Sequence, residues 1–181
     1  MQQAGRTGRK PDYERKAIPF DFKSVKADGQ FQGYASLFGK VDLGRDMVMP
    51  GAFRSSLEAR GARGVKLLYQ HDPNEPIGVW LDIKEDMRGL LVEGQLLISL
   101  ARAREVQALM KAGALDGLSI GFHPTKAKTD EKSGLRKLYE VDLWEISIVT
   151  FPMQPQARIH AMKQAGHAMK QAGHALKQAG W

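Results

Sequence analysis

From Ile18 onward, apolar and polar residues alternate in short runs separated by turn-forming clusters. "FDFKSV" and "FQGYASLFG" place aromatic and β-branched residues between turn signals, which predicts strands joined by a hairpin turn at Asp28-Gly29. "KVDLGRDMVMPGAF" reads as a turn-rich connection with a short strand at Met47–Met49. Pro50 then sets up a helix over Phe53 to Ala59, with Phe53 and Leu57 on one face. "VKLLYQ" is a buried-strand candidate, and "HDPNEP" after it is rich in breakers and predicts a loop. "IGVWLDIKED" and "GLLVEGQLLI" predict two strands around Asp86–Gly89. Ser99 is placed to cap a helix running to Ala112, with Leu100, Val106, Leu109 and Met110 as its apolar face and Gly113 at the C′ position. "LSIGF" predicts a strand, "HPTKAKTDEKSG" a polar loop, "RKLYEVDLWEISIVTF" one or two strands, and "PMQPQAR" the exit from the domain. Many strands with two inserted helices indicate an α+β, mostly β fold, more barrel-like than a βαβ alternation.

The chain of 181 residues accommodates one domain with extensions. Residues 1–17 form a basic extension expected to be flexible, residues 18–159 the domain, and residues 160–181 a repeat tail. The tail reads "HAMKQAG", "HAMKQAG", "HALKQAG", and a glycine in every heptad predicts a weak helix or a disordered segment. His160, His167 and His174 recur two turns apart, too far to meet on one metal ion along a single helix. The net charge of +7 suggests a polyanion partner until it is located. Residues 1–23 carry six basic and three acidic side chains, and residues 158–181 carry four basic and none acidic. Residues 24–157 hold seventeen of each sign, so the excess sits at the ends, where nucleic-acid binding by the tails is the remaining electrostatic option. There is no cysteine, hence no disulfide, no thiolate nucleophile and no Cys-based metal site. No apolar run is long enough to span a membrane, and the N-terminus lacks the apolar core of a signal peptide; a cytoplasmic setting is expected.

Gly117-Leu118-Ser119-Ile120-Gly121 matches G-x-S-x-G, the nucleophile elbow of α/β-hydrolases. That elbow needs a strand before the serine and a helix after it. Here a helix precedes and a proline-containing polar stretch follows, so the context excludes a small esterase of that fold. A serine nucleophile still needs a base within hydrogen-bond reach and a group that orients the base. His71 closes the "VKLLYQ" strand beside Pro73 and Pro76. In "DLWEISIV" the alternation sets Trp144, Ile146 and Ile148 on one face and Leu143, Glu145, Ser147 and Val149 on the other. A carboxylate on so apolar a strand requires a partner, an arginine or a histidine.

Four segments in this order, "GYASLFGKVDLGRDMVMPGAF", "LLYQHDPNEPIG", "LDGLSIGF" and "WEISIVTFPMQPQA", resemble the prohead (capsid-maturation) proteases of HK97-like tailed phages. The resemblance spans Phe20 to Ile159. This family is similar to the herpesvirus assemblins, which implies a small β-barrel flanked by helices; the resemblance does not cover residues 1–16 or the repeat tail. It also implies a serine endopeptidase that cleaves the scaffolding region of capsid subunits, and itself, inside the immature capsid in the host cytoplasm. By position, His71 matches the family's general base and Ser119 its nucleophile. Glu145 matches the orienting acid best, with Asp142 and Asp116 as competitors. No cofactor and no metal are implied; the major capsid protein is the implied substrate, and a homodimer is suggested by analogy. Asp42, Asp46 and Gly51 fall in a signature segment and are expected to build a turn and a helix start. The oxyanion donors are expected to be backbone N–H groups near Ser119, with Arg136 as a further candidate. The competing class is a virion scaffold or nucleic-acid-binding module that acts through basic termini.

Overall fold

Leu90, Val92 and Leu96 are the buried positions of one alternating strand, and the same two-residue rhythm of Phe31, Ala35 and Leu37 faces them from its neighbour. The computed structural model describes residues 25–160. In chain order the elements are β1 (Gln30–Leu37), β2 (Asp46–Val48), α1 (Arg54–Gly64), β3 (Lys66–Tyr69) and β4 (Asp72–Glu85). They continue as β5 (Gly89–Leu96), α2 (Ala101–Lys111), β6 (Gly117–Thr129), β7 (Arg136–Val149) and β8 (Ile159–His160). "FDFKSV" lies almost wholly outside the described residues, as do the N-terminal extension and the repeat from residue 161 onward. The mostly β architecture with two helices is as expected.

The strands form one curled sheet. β7 pairs with β6 along one edge, antiparallel, and with β2 and β3 along the other, parallel. From β3 the order runs through β4, β5 and β1 to β8. The segment after β7 then closes the curl: Tyr34 N–H donates to the Arg158 carbonyl at 3.0 Å, and Leu118 N–H donates to the Ala157 carbonyl at 3.0 Å. Residues 157–159 therefore lie between β1 and β6 as the closing stave of the barrel. Inside, Trp80 and Phe31 meet edge to face with ring centroids 5.6 Å apart, among Leu67, Ile77, Leu143, Ile146 and Ile148. α1 packs on β4 and β7, and α2 on β4 and β5.

Several boundaries differ from the sequence reading, each for a physical reason. "HPTKAKT" is the outer half of β6, not loop: its backbone pairs with β7 while its side chains face solvent, so no apolar rhythm marks it. "DPNEP" opens β4, and the register shifts around Leu68 absorb Pro73 and Pro76 at irregular positions, where a missing N–H costs least. α1 reaches Gly64, with Gly61 out of helical conformation at φ 66°. α2 has Leu100 at its N-cap and no side-chain cap, so Ser99 does not serve. Its buried face is Ala103, Val106 and Met110; Leu100 and Leu109 are exposed. Gly113 follows the helix at φ 73° as expected of a C′ glycine.

Candidate active site

The site is assembled on the outer face of β7, and a bulge puts it there. Phe122 pairs with Leu143 and Gly121 with Glu145, which leaves Trp144 as an extra residue. The bulge resets the alternation. Leu143, Ile146 and Ile148 all point into the core, while Trp144 is exposed; the expected sharing of faces by Trp144 with Ile146, and by Leu143 with Glu145, does not hold. Glu145 and Ser147 are left on the outward face, and Ser147 lies directly across from Ser119 on β6. Facing positions of such a pair have Cβ atoms about 4.5–5.5 Å apart.

His71 arrives from the other side. Tyr69 pairs with Asp72, so Gln70 and His71 are the two central residues of a tight hairpin, with φ of 55° and 62°. Positive φ at both positions is the signature of a type I′ turn, usually filled by Asn-Gly. Non-glycine residues there cost about 1–2 kcal/mol each, so surrounding bonds must hold them. The Gln70 side chain donates to Thr150 Oγ1 at 2.7 Å, and His71 N–H donates to Ser147 Oγ at 3.1 Å. The turn folds the histidine over β7. Its Nδ1 lies 2.6 Å from Glu145 Oε1. An ionised carboxylate only accepts, so Nδ1 carries the proton and Nε2 of the neutral ring is left as an acceptor. The hydrogen bond to Glu145 raises the His71 pKa above the ordinary histidine value, against the opposing effect of burial. Ser147 O–H donates to the other carboxylate oxygen, Oε2, at 2.6 Å.

Gly121 makes room for this arrangement. A Cβ on it would stand 2.1 Å from Glu145 Oε1, so the carboxylate occupies the space a side chain would take. The second glycine of the G-x-S-x-G string thus has a packing role unrelated to a hydrolase elbow. Ser119, two residues before it, is 4% exposed and lines a small cleft shared with Lys40, Asp42, Met153 and Gln154. A larger open groove between α1 and the β4–β5 hairpin contains none of these catalytic candidates.

The other candidates are engaged elsewhere. Asp142 accepts from Arg60 at 2.7 Å and from the Trp144 indole at 2.7 Å. Asp116 is paired with Arg158. Arg136 holds Asp46 through two bonds of 2.7 and 2.5 Å, joining β7 to β2. Asp42 accepts from Asp46 N–H at 2.8 Å, and burial raises its carboxyl pKa. Gly51 N–H and Phe53 N–H donate to the Glu85 carboxylate at 3.0 and 2.8 Å, just ahead of α1. These three signature residues do build a turn and a helix start. Ser147 and Gly121 also touch the candidate site, and sequence reasoning left both without a part in it. The alternation put Ser147 on the face of Glu145, but only the fold shows what its hydroxyl reaches.

A curled barrel whose outer face joins a histidine to a glutamate, beside a serine on the next strand, has the parts of a serine peptidase. The profile of the caudovirus prohead serine protease family matches residues 19–172. The chain belongs to this family. It is a peptidase of the kind that matures phage capsids. It is 37% identical over 155 residues to the prohead protease of Enterobacteria phage HK97, covering 82% of this chain and 68% of that protein. It is 27% identical over 144 residues to the prohead protease of Escherichia phage T5, covering 79% and 67%. Among solved structures it resembles the bacteriophage T4 capsid assembly protease, with a TM-score of 0.53 and 13% identity over 68% of this chain and 82% of that one. It also resembles KSHV protease in complex with a hexapeptide phosphonate inhibitor, with a TM-score of 0.51 and 11% identity over 82% and 74%. At such identities these two likenesses establish the shared fold, including the similarity to herpesvirus proteases. Among the described residues, no group of three acidic or histidine side chains could hold a metal ion, and no helix is long and apolar enough to cross a membrane.

Proposed function

We propose that this prohead protease is a serine endopeptidase that trims the scaffolding region from capsid subunits, and cleaves itself, inside the immature shell. Ser119 is the nucleophile, His71 the general base and Glu145 the acid that orients it. The observation that carries this reading is the 2.6 Å contact between His71 Nδ1 and Glu145, made on the strand face that Ser119 extends. The contact fixes the tautomer, so Nε2 is free to take the Ser119 hydroxyl proton as Oγ attacks a peptide carbonyl. The imidazolium formed is stabilised by the Glu145 carboxylate and returns the proton to the departing amine. Water then repeats the two steps on the acyl-enzyme and releases Ser119. The negative oxygen of each tetrahedral intermediate requires donors, and backbone N–H groups near Ser119 supply them; Arg136 is already committed to Asp46.

The test is co-expression of the full chain with the capsid subunit of its own phage, followed by intact-mass analysis of both. Wild type is expected to shorten the subunit at defined sites and to shorten itself. Ser119→Ala should leave both whole, because loss of a triad serine lowers turnover by about 10⁶. Equal trimming by the two proteins would contradict the assignment of Ser119.

A further inference from the structure

Ser147 is fully buried, yet its hydroxyl is committed twice. It gives its one proton to Glu145 Oε2 at 2.6 Å and accepts the His71 backbone N–H at 3.1 Å. Each bond constrains a different part of the site. The terminal torsion of a glutamate is broad, so a single bond to histidine would leave the carboxylate free to turn. With Oε1 on His71 and Oε2 on Ser147, its plane is fixed. The second bond anchors the backbone of a residue held at positive φ, and so sets where the imidazole starts. Ser147 is not itself placed as a nucleophile: its proton is engaged by the carboxylate and its side chain has no solvent-facing surface.

We propose that Ser147 is a positioning residue for peptide hydrolysis, which locks the Glu145 carboxylate and the His71 turn into one geometry so that Nε2 is presented to Ser119. The proposal rests on the catalytic reading of Ser119, His71 and Glu145 given above. It differs from a packing role in what it predicts for His71. Glu145 is the ionisable group that acts on this histidine among the described residues, so freeing the carboxylate should let the histidine titrate closer to its ordinary value.

The test needs no physiological substrate. The full chain is treated with a fluorophosphonate, and the labelling rate constant of Ser119 is followed against pH. The His71 ring proton at Nδ1 is followed by NMR in a Ser119→Ala background. Ser147→Ala is expected to label about 10- to 100-fold more slowly, the equivalent of losing one hydrogen bond to a charged group. Its pH midpoint should fall towards that of a free histidine, and the downfield Nδ1 proton should weaken. Ser147→Thr, which keeps the hydroxyl, should recover both. If Ser147→Ala fails to fold, Ser147→Cys preserves the volume with a weaker donor and is judged by the same readouts. Labelling within twofold of wild type overturns the proposal. So does slower labelling with an unmoved midpoint and an unchanged Nδ1 proton, the behaviour of a packing residue. A folded wild type that is never labelled at Ser119 counts instead against the catalytic reading beneath it.

Discussion

A histidine in a left-handed turn has to be held there, and the side chains that hold His71 and its neighbour come from the end of β7 and the residue just after it. Glu145 takes its ring, Ser147 its backbone, and Thr150 the side chain of Gln70 beside it. Two predictions belong at this scale. The first concerns pH. Glu145 raises the His71 pKa, and a general base must be neutral, so the acid limb of activity should have its midpoint above about 6.5. Stability carries the opposite sign. The protonated pair contributes fully below about 6.5, and that contribution is lost as pH rises through the raised folded value. NMR titration of His71 together with melting at two pH values checks both directions. The second concerns Gly121→Ala. The new methyl group would displace the Glu145 carboxylate, so stability should fall by about 1–3 kcal/mol and activity should collapse with it. Comparing melting with labelling of Ser119 separates the two effects.

At the scale of elements, the bulge at Trp144 is the device that leaves Glu145 and Ser147 of a core strand on its outward face. Its opened backbone is satisfied from α1: Leu143 N–H donates to Ser56 Oγ at 2.9 Å, and Ser56 is buried. Ahead of it, Val141 N–H donates to the Ala52 carbonyl at 3.0 Å. Ser56→Ala would strand the Leu143 N–H in the interior and should cost about 1–3 kcal/mol by denaturant unfolding. Much of this scale was legible in sequence. β5, the β4–β5 hairpin and the C-cap of α2 follow from alternation and from glycine at positive φ. The bulge was not legible, because strict alternation through "DLWEISIV" is self-consistent, and only pairing with β6 reveals the extra residue. The outer half of β6 was hidden for the converse reason. It is held by backbone pairing, and its side chains report nothing.

At the scale of the whole molecule, the residues of the site are spread over 77 positions of chain from His71 to Ser147, and curling of the sheet brings their strands side by side. The candidate triad could be assembled from sequence because four ordered motifs resembled a known family; no spacing between His71, Ser119 and Glu145 would have done so. The barrel that carries them depends on its core. Trp80 fills that core against Phe31 and donates its indole N–H to the Lys66 carbonyl at 3.2 Å. Trp80→Ala should therefore destabilise the protein by about 3–5 kcal/mol in chemical denaturation. The most direct measurement of the central claim is peptide mapping of the folded full chain after reaction with a fluorophosphonate. A single adduct on Ser119 is expected, abolished by Ser119→Ala and slowed severely by His71→Ala. An adduct on a different serine, or on Ser119 at a rate indifferent to His71, would contradict it.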